Sequence, residues 1–140
     1  MIAILWTIRS FEGVGPLSFG LTRADVRSIL NEAPRSFRKV TWAQSLTDDY
    51  PSHCLHAYFD SNDRLEFIEF YEPARISFRG ETFFGRAYVD VERTLRNWDP
   101  DIRTDRVGLV SCKFGISIYV EDRIQGVGAF CAEQIPAYCC

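Results

Sequence analysis

Apolar residues recur at helical spacing in two stretches of the chain and alternate at strand spacing through much of the rest. In GLTRADVRSILNEAP (Gly20–Pro34), Val26, Ile29 and Leu30 fall on one side of a helix. Thr22 is a good N-cap, and Asp25 three residues on can complete a capping-box pair. Leu21 and Val26 stand at the two positions of a hydrophobic staple, and Pro34 is the stop. A second helical stretch, FGRAYVDVERTL (Phe84–Leu95), keeps Val91 and Leu95 on one face. It offers only Ala87 as a cap, so its start should fray more, and Pro100 closes it. Laid without a gap over FGLTRADVRSIL (Phe19–Leu30), it matches at Phe, Gly, Asp, Val and Leu.

Strand-like runs rich in β-branched and aromatic residues follow each helix. FRKVTW (37–42), CLHAYF (54–59) and RLEFIEFY (64–71) come after the first. RVGLVSC (106–112), FGISIYV (114–120) and RIQGVGAFC (123–131) come after the second, and MIAILWTI at the start reads as a further strand. The hairpins align if the second turn is two residues shorter. The pattern predicts an α+β fold: a tandem duplication of a helix plus a three-stranded antiparallel unit, with helices on one face of the sheet. One domain of two pseudo-repeats, about 14–73 and 76–131, accounts for the 140 residues. Period-two alternation puts Ile68, Phe70, Val127 and Ala129 on the helix-covered face. Phe67, Glu69, Tyr71, Gly126, Gly128 and Phe130 then lie on an open one.

Composition narrows the class without changing this picture. With 46% hydrophobic and 25% charged residues the chain is an ordinary globular one, and its net charge of −3 gives no basic field for nucleic acid. No apolar run approaches the ~20 residues of a membrane span. MIAILWTI has neither a basic n-region nor a cleavage site, which gives a cytoplasmic location as the expectation. The five cysteines (Cys54, Cys112, Cys131, Cys139, Cys140) are odd in number and fit no zinc spacing, so all are expected to be reduced.

Charge is unevenly spread. Between Gln44 and Glu72 the acids Asp48, Asp49, Asp60, Asp63, Glu66, Glu69 and Glu72 face a single base, Arg64. Tyr50, Tyr58, Phe67 and Tyr71 interleave with them, a mixture that suits steering and anchoring of a basic protein partner. Asp48, Asp49, Tyr50, Tyr58, Asp60, Asp63, Phe67, Glu69 and Tyr71 are therefore the candidate contact residues. The alternative is a small ligand-binding protein or hydrolase using the carboxylates of the Asp60–Glu69 hairpin. That role needs burial to split two carboxyl pKa values, which a charged turn disfavours. HCLH (53–56) sends its two histidines to opposite faces of a strand and has no second ligand cluster, so no metal or other cofactor is expected. Gly13-Val14-Gly15-Pro16 is a turn, Gly126-Val127-Gly128 a bend, Trp42 and Trp98 core residues, and Asp99, Asp101 and Asp105 a solvated linker.

GLTRADVRSILNEAP resembles the helix start of the small outer-membrane assembly lipoproteins of the SmpA/BamE type, with Gly20, Thr22, Val26 and Leu30 in the motif positions. Leu21 replaces its Met, Asn31 its Gly, and Pro34 falls one place late. The β-lactamase inhibitor proteins, two such helix-and-sheet units in tandem, look similar, as do small bacterial immunity proteins in size and composition. The resemblance implies a tandem unit whose open sheet face grips another protein. The expected function is an immunity protein, not an enzyme, that neutralises a secreted toxin, possibly a basic nuclease domain, by covering its active surface.

Overall fold

A computed structural model describes residues 4–42 and 45–139. The chain opens with three short strands, β1 (Trp6–Arg9), β2 (Gly13–Val14) and β3 (Leu17–Ser18), which lead into helix α1 (Arg23–Leu30). Four strands follow: β4 (Arg35–Phe37), β5 (Thr47–Tyr50), β6 (Leu55–Phe59) and β7 (Leu65–Tyr71). The rest of the chain has a comparable order, with two strands rather than three ahead of its helix. β8 (Ile76–Phe78) and β9 (Glu81–Thr82) lead into α2 (Tyr88–Trp98), and β10 (Arg103–Asp105), β11 (Gly108–Ser111), β12 (Ile116–Val120) and β13 (Ile124–Phe130) follow. A short helix α3 (Ile135–Cys139) ends the described chain.

The start of α1 is as its residues dictate. The Thr22 hydroxyl accepts from Asp25 N–H, the Asp25 carboxylate accepts from Thr22 N–H, and Asn31 closes the helix in the left-handed conformation (φ 50°). Closure therefore comes three residues before Pro34. Ile29, expected on the buried face, is 41% exposed, because eight residues give room for only Val26 and Leu30 beneath the helix. Helix α2 has no side-chain cap at Ala87, yet is longer at eleven residues. The shared Phe-Gly pair ahead of each helix has a backbone cause. Gly20 and Gly85 adopt φ values of +96° and +81°, where a side chain is strained, to turn the chain into the helix.

The main sheet has eight antiparallel strands in the order β10-β11-β12-β13-β7-β6-β5-β4. Its centre is the pairing of β7 with β13, from Phe67↔Phe130 to Tyr71↔Gly126, with Glu69 opposite Gly128. The hairpins on either side share a defect. In one the register shifts between Tyr58 and Phe59, in the other between Tyr119 and Val120. The extra residues, Glu66 and Gln125, let Leu65 and Ile68, and likewise Ile124 and Val127, all point inward. Phe59 pairs with Leu65 across five loop residues (60–64), and Val120 with Ile124 across three (121–123). The second turn is two residues shorter, as the sequence alignment requires.

A second sheet, β3-β2-β1-β8-β9, joins the two halves through the parallel pair β1–β8. Its Trp6, Ile8, Val14, Leu17, Ile76 and Phe78 enter one hydrophobic core with Val26 and Leu30 of α1 and Val91 and Leu95 of α2. Leu55, Ile68, Phe70, Ile118, Val127 and Ala129 supply the inner face of the large sheet.

Several expectations give way here. FRKVTW is a strand only at its first residue, Phe37, and the true neighbour of β6 is the acidic TDDY of β5. Trp42 is 80% exposed. Trp98 does pack on the core edge, 5.8 Å from Phe78. Asp99 is buried and accepts from the Ser111 hydroxyl (2.7 Å) and from Asp101 N–H (3.0 Å), which makes it a bracket rather than a solvated linker. Cys112 and Cys139 form a disulfide, so the described structure is not that of a fully reduced chain, while Cys54 and Cys131 are free. Burial pushes the Cys131 thiol up to about 11. Cys140 lies outside the described residues. No helix among those described is long and apolar enough to cross a membrane.

Candidate binding surface on the outer sheet face

The register fixes which side chains share the face turned away from the core. One cross-strand row runs Arg35–Asp49–His56–Glu69–Gly128–Ser117–Val110. The next, on one side, carries Phe37, Thr47, Tyr58, Phe67 and Phe130; on the other lie Tyr71, Gly126 and Tyr119. Alternation along β5 splits the neighbouring acids. Asp49 points outward with His56 and Glu69, whereas Asp48 and Tyr50 point inward.

This division corrects the candidate list. Tyr50 is wholly buried, and burial followed by the charge of Asp48 pushes its hydroxyl up to about 12. Asp48, 1% exposed, is held by Arg23 Nη1 (2.9 Å) and the Ser36 hydroxyl (2.6 Å), so it braces α1 against the sheet edge. Asp63 takes the other side of the same guanidinium, at 2.8 Å from Arg23 Nε. Asp60 is spent on its own turn, accepting from Asn62 N–H (2.8 Å) and Arg64 N–H (3.0 Å). Phe67 is on the outer face but not open. It is 9% exposed, with the ring of Tyr138 in α3 5.6 Å away, and Tyr138 stacks on Phe130 at 4.8 Å. The C-terminal segment, tied to the sheet by the Cys112–Cys139 bridge, thus covers that end of the face.

Asp49, Tyr58, Glu69 and Tyr71 remain, and the fold brings them together around His56. The Tyr71 hydroxyl donates to Asp49 Oδ1 (2.8 Å), and His56 Nε2 lies 3.4 Å from the same oxygen. Burial, then this hydrogen bond, raises the Tyr71 hydroxyl well above its ordinary range. The His56 ring sits between Tyr71 (5.2 Å) and Phe37 (5.3 Å). The Tyr58 hydroxyl donates to Glu69 Oε1 (3.3 Å) and accepts from Lys39 Nζ (2.9 Å). Burial and the Glu69 charge hold it protonated far above neutrality. Together with Tyr119, Gln125 and Gly126, several of these groups line a concavity of about 410 Å³.

The glycines of β13 explain the shape of this face. The strand is regular through Gly126–Val127–Gly128, and the bulge lies beside them, at Gln125. A Cβ at Gly126 would meet Glu69 Oε2 at 3.1 Å, and one at Gly128 would meet Phe67 Cζ at 2.6 Å. The missing side chains are therefore seats for Glu69 and Phe67 from the neighbouring strand, not a bend. His56, Tyr119 and Gln125 escaped the sequence-based list. The signal that finds them is the cross-strand register, which requires β5 and both bulges to be placed first.

The carboxylates of the Asp60–Glu69 hairpin are dispersed by this geometry. Asp60 and Asp63 serve a turn and an ion pair, and Glu66 Oε2 accepts from Gln134 Nε2 (2.7 Å) at the far end of the face. Among the described residues, no group of three or more His, Cys, Asp or Glu is placed to hold a metal ion. No protein-family description, curated protein or solved structure matches the chain.

Proposed function

We propose that this protein is an immunity-type inhibitor that binds a bacterial toxin domain through the uncovered part of its outer sheet face and performs no chemistry itself. The carrying observation is the cleft around His56. A broad antiparallel sheet presents Tyr58, Tyr71 and Tyr119 beside the half-buried carboxylate of Glu69, with the outward-turned Asp49 buried beneath at 6% exposure. Aromatic side chains supply contact area at small entropic cost, and the acids favour a basic partner such as a nuclease domain. Tyr50, Asp48, Asp60, Asp63 and Phe67 are occupied elsewhere in the fold and take no part in this surface.

The test is capture and inhibition of a toxin domain encoded beside this protein's gene. Tyr71→Ala and Glu69→Lys should each weaken capture by about 1–3 kcal/mol if they are central contacts. Capture and inhibition that are indifferent to both changes would remove the outer face from the mechanism.

The two halves are inferred to descend from one duplicated unit. Both Phe-Gly turns precede a helix, both hairpins carry the bulge at the matching place, and Glu69↔Gly128 sits midway between them. An experimental structure in which α1 through β7 fails to superpose on α2 through β13 would refute this. The Cys112–Cys139 bridge favours an oxidising compartment over the expected cytoplasm as the proposed location, with a direct check by thiol titration of the unfolded, unreduced protein. Five thiols fit the cytoplasm, whereas three, with Cys112 and Cys139 joined, put the protein in an oxidising compartment.

A further inference from the structure

Glu69 is the unusual group on the outer face. It is half-buried, yet it takes part in none of the ion pairs among the described residues, and its sole hydrogen-bond donor is the neutral Tyr58 hydroxyl at 3.3 Å. A carboxylate partly removed from water costs free energy unless a charge faces it directly, and the Lys39 ammonium reaches Glu69 only through the Tyr58 hydroxyl. The other outward acid is better served, since Asp49 has the Tyr71 hydroxyl, His56 and, at 3.6 Å, Arg35. Glu69 lies over Gly126 into the concavity of about 410 Å³ whose walls include Tyr71, Tyr119 and His56. One end of this surface already holds a cation in the manner expected. Lys39 Nζ is 4.9 Å from the Tyr58 ring centroid and 2.9 Å from its hydroxyl.

We propose that this cleft is a socket for an arginine side chain of the protein partner, with Glu69 as counter-charge and Tyr71 and Tyr119 as its aromatic walls. Arginine fits better than lysine. Its planar guanidinium stacks on aromatic faces while its edge donates two parallel hydrogen bonds to one carboxylate, and it loses less hydration on entry. The socket rests on the binding function proposed above and names the chemistry of its partner.

The experiment is titration of the full-length protein, followed by amide NMR, with the acetylated amides of arginine, lysine and citrulline. The arginine derivative should move the amides of His56, Glu69, Tyr71 and Gly126 saturably. It should bind more tightly than the lysine derivative, and citrulline, isosteric but uncharged, should leave these amides in place. Glu69→Gln should weaken the arginine response about tenfold, the loss expected of one charge-assisted contact. Tyr119→Leu, at an exposed position, provides a second variant and should also weaken it. Equal responses to arginine and citrulline, a preference for lysine, or an undiminished response in Glu69→Gln would each overturn the socket. Toxin capture separates the two proposals. If Tyr71→Ala abolishes capture while the arginine derivative moves nothing, the surface stands and the socket falls. If the derivative binds and capture ignores the face, the socket stands and the immunity reading falls.

Discussion

At the scale of single residues, small side chains and odd positions decide what the outer face can hold. Gly128 is the clearest case, since a methyl there would strike the Phe67 ring and the Ser117 hydroxyl, both within 2.6 Å of the added carbon. Gly128→Ala should therefore destabilise the fold by about 1–3 kcal/mol in urea unfolding, the range for overpacking. Phe67→Leu in the same chain should recover part of that loss; without recovery, Phe67 is not what fills the space. Glu66 offers a pH test. Burial, and then the charge of Asp60, raise its pKa above the ordinary 4.5. An acid with a raised folded pKa binds more protons folded than unfolded, so its contribution to stability falls as pH rises from about 4.5 through the folded value. Glu66→Gln should flatten that part of the stability-versus-pH curve, as followed by thermal melting at a series of pH values. An unaltered slope would assign it to another group.

At the scale of elements, what was legible in the sequence was what local chemistry determines. The capping box at Thr22 and Asp25, the Phe-Gly turns, the strands β6, β7, β12 and β13, and the two-residue difference between hairpins all follow from short-range rules. The strand β5 was not legible, because TDDY has poor strand propensity and becomes a strand through partners distant in sequence. Asp48 finds Arg23 and Ser36, and Asp49 finds Tyr71. Trp42 misled for the converse reason, as an apolar residue that the fold leaves outside. The covering of Phe67 by α3 was also invisible, since it depends on a bridge between Cys112 and Cys139 that no spacing rule selects. That bridge closes a separation of 27 residues, for which constraint of the unfolded chain contributes about 3.5 kcal/mol. Cys139→Ser should lower stability by about that amount and free the C-terminal segment. Hydrogen exchange should then quicken in β13 and β7 around Phe130 and Phe67, and unchanged protection there would mean that α3 stays docked without its tether.

At the scale of the whole molecule, the question is whether the N- and C-terminal halves of the chain behave as one body. Three features join them: the β7–β13 pairing, the parallel β1–β8 pair, and a core that runs from Trp6 and Leu30 to Leu95 and Ile118 without division. A half separated from the other would expose the inner face of its central strand, Ile68 and Phe70 on one side or Val127 and Ala129 on the other. Loss of so much apolar burial makes a half-folded state costly, and a single cooperative transition follows. Tryptophan placement allows a direct check, because Trp6 packs on Phe70 of the first half and Trp98 on Phe78, which leads into the second helix. With the exposed Trp42 changed to Phe, variants retaining only Trp6 or only Trp98 should give coincident urea transitions, matching far-ultraviolet circular dichroism. Val127→Ala, a change confined to the second half, should cost about 2 kcal/mol and move both tryptophan midpoints by the same amount. A shift seen by Trp98 but not by Trp6 would mean that the halves unfold separately. The outer-face cleft, which takes Glu69 from one half and Tyr119 and Gly126 from the other, would then exist only while they are docked.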